Sequence, residues 1–159
     1  MWRARQKLPD GLEFLEPGPL QDGDLELVLV SKYPGDPGTG FSPAYKFEMC
    51  TPYGRRIGNI DLRLGNSFNL IMYGGHIGYR VSPAYRGNHY AARSCRLLFP
   101  LAKRHGISPL WFTCNPDNTP SRRSCELAGA TLVDIVEIPK EIDMYDDGER
   151  FKCRYRVDL

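Results

Sequence analysis

A six-residue run, Arg86-Gly87-Asn88-His89-Tyr90-Ala91, joins a cationic side chain to a glycine-containing turn just before a predicted helix. The first backbone N–H groups of a helix have no partner within it, and they lie at the positive end of the helix dipole. Such a turn suits a phosphate or pyrophosphate group, and the Arg86 guanidinium adds a full positive charge. The run alone leaves two interpretations open, since most glycine-containing turns between a strand and a helix bind nothing.

The cysteines and histidines show no spacing that would hold a metal ion. There are five cysteines, an odd number, and they contain no Cys-x-x-Cys pair. The three histidines, His76, His89 and His105, are also far apart in the chain. We therefore predict no metal site and reduced thiols, as in a cytoplasmic protein.

The elements that would position the run begin with an antiparallel meander. A strand is predicted over Leu25–Val30, and the Gly- and Pro-rich stretch Tyr33–Pro43 is predicted to be a loop. Apolar and polar residues alternate over Tyr45–Met49, a turn follows, and Arg56–Leu64 supplies the partner strand. Gly58 in that strand indicates a bulge or a close backbone approach.

The second half of the chain alternates strands and helices. A strand over His76–Val81, a helix over Asn88–Arg104 and a strand over Leu110–Cys114 predict a βαβ unit with parallel strands. Pro100 lies inside that helix and is expected to kink it or to end its regular part early. Further predicted elements are a helix from Asn118 or Thr119 to Ala128 and strands over Thr131–Ile138 and Phe151–Val157. The fold class is thus α/β, or more broadly α+β.

Composition and length limit the possible classes of protein. The chain has 159 residues, 42% of them hydrophobic and 25% charged, which predicts one globular domain over 1–159 with an irregular N-terminal segment over 1–24. The net charge of +2 gives no support for nucleic-acid binding, and the arginine-rich last strand has no accompanying pattern of aromatic residues for stacking on bases. No apolar run is long enough to be a signal peptide or to span a membrane, so we expect a cytoplasmic location.

The stretch Val81–Ala91 resembles the pyrophosphate loop of the GNAT family of acyl-CoA-dependent N-acyltransferases, in which Arg/Gln-x-x-Gly-x-Gly/Ala follows a strand ending in a Val-x-Pro type sequence. Asn115–Ala130 is similar to the family's next turn and helix, so the resemblance covers about Gly74–Ala130. It implies a mixed, mostly antiparallel sheet with one central parallel strand pair, splayed to admit coenzyme A. It also implies an N-acetyltransferase that uses acetyl-CoA.

The resemblance also implies roles for particular residues. Backbone N–H groups of Tyr79 or Val81 would point at the thioester carbonyl. The cofactor would further contact Arg86, Gly87, Asn88, His89, Tyr90, Ala91, Asn118 and Ser121, and Arg122 or Arg123 would contact its 3'-phosphate. Two positions depart from the pattern, since His89 stands where the family usually has glycine, and Cys125 stands where many members have a tyrosine that protonates the leaving thiolate.

Acids, bases and the acceptor are less well specified by the sequence. Cys125 is a candidate acid or a buried structural cysteine, and Glu48, Asp61 and His76 are candidate bases or plain strand and turn residues. The acceptor would be a primary amine of a small molecule or a peptide N-terminus, and the acidic run Asp143–Glu149 would attract it or be a solvated hairpin. A non-catalytic acyl-CoA or phosphate-ligand sensor is the alternative function. A homodimer and a monomer both stay open.

Overall fold

The structure is a computed structural model that describes residues 12–159. Its first half is an antiparallel meander of five strands in chain order, which are β1 (Gln21–Asp22), β2 (Leu25–Tyr33), β3 (Ala44–Cys50), β4 (Arg56–Arg63) and β5 (Ile77–Val81). The alternation of Tyr45, Phe47 and Met49 with Lys46 and Glu48 gives β3 one apolar face and one polar face. The meander therefore has a buried side and a solvent side, as predicted.

The second half forms a smaller sheet and three helices. These elements are α1 (Tyr90–Arg104), β6 (Leu110–Cys114), α2 (Thr119–Leu127), β7 (Thr131–Glu137), α3 (Asp143–Asp146) and β8 (Phe151–Val157). The three strands form an antiparallel sheet in the order β6-β8-β7. Helix α1 continues past Pro100 to Arg104, so of the two effects expected from the proline, the early end is wrong and the kink stays a prediction.

The hydrophobic core lies between the apolar face of the five-stranded sheet and helix α1. Strands contribute buried apolar side chains at alternate positions, and α1 contributes them at three- and four-residue steps. Those with almost no exposed surface include Tyr45, Met49, Ile57, Ile60, Leu62, Leu98, Leu101, Leu110 and Phe112. This packing fixes the N-terminal end of α1 relative to β5, which is where the six-residue run lies.

The predicted sheet is corrected in one respect, because the structure shows two antiparallel sheets and no parallel ladder between β5 and β6. The two strands belong to different sheets and are joined just before β5 starts. There the His76 N–H donates to the Trp111 carbonyl at 2.7 Å. The physical reason is that β5 takes its ladder hydrogen bonds from β4, while β6 takes its own from β8.

The local structure also differs from expectation in three places. Residues 1–11 of the expected irregular N-terminal segment lie outside the described residues, and Gln21–Asp22 within that segment forms β1. The predicted loop after β2 contains a β-bridge between Asp36 and Phe41. A π-helical turn over Leu70–Gly74 was not predicted.

None of the helices within residues 12–159 has the length and apolar character needed to cross a bilayer.

Candidate functional site

A cleft of about 680 Å³ lies where the N-terminal ends of α1 and α2 meet β5. We call it the helix-end cleft. Apart from the two arginines considered for the 3'-phosphate, it is lined by all the residues that the sequence assigned to a cofactor except Asn88, that is, Tyr79, Val81, Arg86, Gly87, His89, Tyr90, Ala91, Asn118 and Ser121. The side-chain amide of Asn88 instead donates to the Tyr85 carbonyl at 3.1 Å, which holds the turn.

The backbone of the six-residue run is open to the helix-end cleft. Among residues 12–159, the N–H groups of residues 87 to 91 have no hydrogen-bond acceptor. The side chain of His89 does not cap α1, and the first turn of α1 contains no acidic residue. Since neither a capping side chain nor a carboxylate satisfies these amides, the start of α1 can receive an anion. Arg86 remains exposed beside them, with its Nε donating to the Val81 carbonyl at 3.2 Å.

Both Gly87 and His89 have a left-handed backbone, with φ of 86° and 59°. His89 is the only non-glycine residue with positive φ within 12–159. Glycine, which the resembled pattern has at this position, adopts this conformation without steric cost, whereas other residues pay about 1–2 kcal/mol. The histidine therefore preserves the shape of the loop at an energetic cost.

Two further amides face the junction between β5 and β6. Two hydrogen bonds bracket the β4–β5 ladder, namely Arg63 N–H to His76 O at 2.7 Å and Ser82 N–H to Ile57 O at 2.9 Å. Because hydrogen-bonding direction alternates along an antiparallel strand, the N–H groups of Tyr79 and Val81 point away from β4. Within residues 12–159, neither amide is bonded to β6.

A pair of hydroxyl groups crosses the helix-end cleft. The hydroxyl of Tyr79 lies 3.0 Å from Oγ of Ser121, in the first turn of α2. The Asn118 side-chain oxygen accepts from the Ser121 N–H at 3.2 Å, so Asn118 caps α2 and positions Ser121. Burial raises the pKa of Tyr79, which keeps this phenol protonated. The sequence pointed to the backbone of Tyr79, but gave no signal for its hydroxyl.

The candidate acid Cys125 is not brought to the cleft surface. Its side chain is buried, with 3% of the residue exposed, and it is not among the lining residues. Its thiol is next to that of Cys114 on β6, and this contact together with burial raises the pKa of Cys125. The geometry matches the structural interpretation of this cysteine.

The two arginines considered for a phosphate contact differ in their surroundings. The guanidinium of Arg122 donates to the Tyr155 hydroxyl at 3.0 Å and to the Pro116 carbonyl at 3.2 Å. Arg123 lines the helix-end cleft and makes only a 3.6 Å ion pair with Glu126. Arg123 is therefore the one that can reach a ligand in the cleft.

A second cleft, of about 670 Å³, lies on the face of the five-stranded sheet opposite α1. We call it the sheet-face cleft. Alternation places Lys46 of β3 and Asp61 and Arg63 of β4 on this face. Its other walls come from the loop over 39–42, the π-helical turn and the segment that holds Glu141 and Asp143. Part of the predicted acidic run thus lines a cleft.

The three candidate bases fall in different places. Asp61 lines the sheet-face cleft, whereas Glu48 lines neither cleft and lies 3.8 Å from Arg56 in an ion pair. His76 is completely buried, its Nδ1 accepts from the Trp111 N–H at 2.9 Å, and its Nε2 donates to the Gly65 carbonyl at 3.1 Å. With both ring nitrogens engaged, His76 acts as a link between the sheets.

The sequence profile of the acetyltransferase (GNAT) domain matches residues 15–131, which is most of the chain. The chain therefore belongs to the GNAT acetyltransferase domain family. A search of curated protein sequences found no significant match.

Solved structures with a similar fold include three acetyltransferases. The GNAT family acetyltransferase from Bacillus anthracis is 21% identical, with a TM-score of 0.55 over 71% of this chain and 65% of that one. The Salmonella typhimurium acetyl transferase that modifies the N-terminal serine of 50S ribosomal subunit protein L7/L12 is 18% identical, with a TM-score of 0.57 over 77% and 66%. The Microcin C7 self immunity acetyltransferase, solved with acetyl-CoA and AMP, is 18% identical, with a TM-score of 0.53 over 73% and 61%. The chain thus spans less than two thirds of the length of each of these proteins.

Proposed function

We propose that this protein is an N-acetyltransferase that moves an acetyl group from acetyl-CoA to a primary amine of a small molecule or a peptide N-terminus. The observation that carries the proposal is the row of open amides over residues 87 to 91, beside Arg86 in the helix-end cleft. An oriented set of N–H groups with a guanidinium supplies the positive charge and the hydrogen-bond donors that a pyrophosphate requires.

The residues at the junction of β5 and β6 would act on the reacting carbonyl. Acetyl-CoA supplies the acetyl group as a thioester. The N–H groups of Tyr79 and Val81 point into the junction, where they would hold the carbonyl oxygen and stabilise the charge that develops on it. The acceptor would enter from the sheet-face cleft, whose wall reaches β5 where the Arg63 guanidinium lies against Gly78, so that both reactants meet there.

The proton balance assigns two further roles. A bond forms between the amine nitrogen and the acetyl carbon, the bond from that carbon to sulfur breaks, and sulfur leaves as a thiolate. Asp61, directly or through a water molecule, would take the proton that the amine loses. The hydroxyl pair of Tyr79 and Ser121 would donate a proton to the thiolate and recover one from solvent, into which Asp61 releases the proton that it took from the amine. We assign no chemical step to Glu48, His76 or Cys125, because none of them lines either cleft.

Calorimetry with acetyl-CoA tests the cofactor part of the proposal. We expect Arg86→Ala to weaken binding about 10- to 100-fold, as for loss of a hydrogen bond to a charged group. The exposed Arg55 lies in neither cleft, so Arg55→Ala is the matched control and should bind as the wild type does. Absence of any heat of binding from the folded protein at millimolar cofactor would remove the proposal.

A non-catalytic acyl-CoA sensor is the second candidate. Among residues 12–159, no carboxylate lines the helix-end cleft, so the base must come from elsewhere. A sensor would bind acetyl-CoA but release no thiol with any amine. Thiol release in a screen of amines and peptides, lost in Arg86→Ala, would exclude the sensor.

A further inference from the structure

Arg63 is a largely buried cation on the wall of the sheet-face cleft. Its Nη1 donates to the carbonyls of Gly74 and Gly75, at 2.8 and 3.1 Å, at the end of the π-helical turn. Burial lowers the pKa of this guanidinium, but an arginine starts so far above neutrality that the group stays charged. The two carbonyl groups bind Nη1, so the Nε and Nη2 side of the guanidinium must be considered separately.

The guanidinium has a free edge. Arg63 makes no ion pair with any carboxylate of residues 12–159, and neither its Nε nor its Nη2 donates to an acceptor there. Neither of these two nitrogens is fully enclosed by protein atoms. Both nitrogens therefore keep some exposed surface, and Arg63 is one of the residues that line the cleft. Together, Nε and Nη2 form the two-pronged edge that binds both oxygens of a carboxylate.

The free edge lies next to the place where acetyl transfer would occur. A Cβ on Gly78 would collide with Nη2 of Arg63, so the absence of a side chain on Gly78 lets the guanidinium lie directly on β5. The peptide group that follows Gly78 carries the N–H of Tyr79, which points into the junction with β6. An anionic group bound by Arg63 would thus lie within a few bonds of an amine that attacks there.

Other charges around the sheet-face cleft suit a zwitterion. Lys46 makes no ion pair within residues 12–159, and its ammonium lies over the Tyr33 ring at 5.5 Å from the centroid. Asp61 is the cross-strand partner of both Lys46 and Gly78, and Glu141 and Asp143 line the wall away from the sheet. Cations on the sheet would attract a carboxylate, while the acidic groups would attract an ammonium.

We propose that the acceptor carries a carboxylate close to its reactive amine, as a free α-amino acid does, and that the Nε and Nη2 edge of Arg63 binds that carboxylate. This inference rests on the proposed function and narrows its acceptor. A peptide N-terminus lacks this group, because the carbon next to its amine carries an amide instead. Arg63 is then a specificity-determining residue.

A matched acceptor panel tests the inference on the wild-type protein. Free α-amino acids with small, aromatic, acidic and basic side chains are each compared with their C-terminal amides and with dipeptides, and thiol release from saturating acetyl-CoA is measured. For the preferred side chain, we expect kcat/KM for the acid to exceed that for the amide about 10- to 100-fold, as for loss of a charged hydrogen-bond partner. Amides or peptides that react as well as the acids would overturn the inference and leave the acetyltransferase proposal intact. No thiol release from any amine would instead refute the proposed function.

A variant then connects the preference to its residue. In Arg63→Gln, the ratio of kcat/KM between acid and amide should fall to near one, while the affinity for acetyl-CoA stays unchanged. Arg55 is exposed, so Arg55→Gln is the control and should keep the wild-type ratio of kcat/KM between acid and amide. A ratio that survives in folded Arg63→Gln would reject the role of Arg63. If the variant does not fold, the acceptor panel still decides the inference.

Discussion

The imidazole of His76 accepts a hydrogen bond from the backbone N–H of Trp111, with 2.9 Å between Nδ1 and the amide nitrogen. A backbone amide is always the donor, so the proton of the neutral ring must be on Nε2, which faces the Gly65 carbonyl. The His76 N–H in turn donates to the Trp111 carbonyl. One residue therefore joins the two sheets and sets the junction at which the thioester would be held.

This arrangement predicts that acid destabilises the protein. Burial lowers the pKa of His76 below its usual 6.5, because the charged ring would lose its water. The unfolded chain then binds more protons than the folded one between the two pKa values. The free energy of unfolding should therefore fall as the pH drops from 6.5 toward the folded-state pKa. Urea unfolding at several pH values measures the slope.

His105 must be separated from His76 in that experiment. Burial also lowers the pKa of His105, whose Nε2 lies 2.6 Å from the Tyr45 hydroxyl. The variant His105→Asn removes the contribution of His105 to the pH dependence of stability. The slope of unfolding free energy against pH that persists in this variant therefore comes largely from His76. A flat stability profile below pH 6.5 in that variant would contradict the assignment.

The left-handed backbone at His89 predicts a stabilising substitution. Gly adopts φ near 59° without strain, whereas histidine pays for it, so His89→Gly should raise the free energy of unfolding by about 1 kcal/mol. His89→Ala is the matched control, because it removes the imidazole but keeps a Cβ and the strain. Thermal unfolding should show a higher Tm for the glycine variant alone. Equal gains in both variants would mean that the imidazole, not the backbone, is the cause.

The sequence predicted best those features that depend on local pattern. The bounds of β6 and β8 agree with the prediction, because short apolar or alternating runs end there at clear turn residues. The open loop over residues 87 to 91 was also expected, since glycine, arginine and a helix start are all local signals. The acyltransferase family followed from that loop.

Features set by long-range packing were not predicted. The resemblance implied that β5 and β6 splay apart, but their assignment to two different sheets depends on which strand completes each ladder, and no local pattern specifies that choice. Arg63 looked like an ordinary polar strand residue, because its free edge exists only where Gly78 and the π-helical turn surround it. Its alternation with Asp61 on the face opposite the apolar one was the available signal. The hydroxyl contact between Tyr79 and Ser121 joins residues 42 positions apart, beyond the range of any motif.

Gly58 provides a test of how tightly β4 approaches β5. A Cβ there would collide with the Arg80 carbonyl, which is backbone and cannot rotate away. Gly58→Ala should therefore destabilise the fold by at least about 2 kcal/mol, as in other overpacked interiors. Gly106→Ala is the control, since a Cβ at Gly106 meets nothing within 4 Å and only its φ of 72° opposes the change. Chemical denaturation should give the larger loss at Gly58, and equal losses would refute a tight approach.

The hydroxyl pair in the helix-end cleft predicts a coupled loss of turnover. If Tyr79 and Ser121 deliver one proton together, then Tyr79→Phe and Ser121→Ala should each lower kcat about 10- to 100-fold, as for loss of a general acid. The double variant should be little worse than either single variant, because groups that act as a unit are not additive. Acetyl-CoA affinity should change little, which separates a chemical role from a binding one. Tyr53→Phe, at a ring that is 98% exposed, is the control and should keep full activity. Additive losses in the double variant, or losses that appear only in cofactor affinity, would show that the two hydroxyls shape the cleft without transferring a proton.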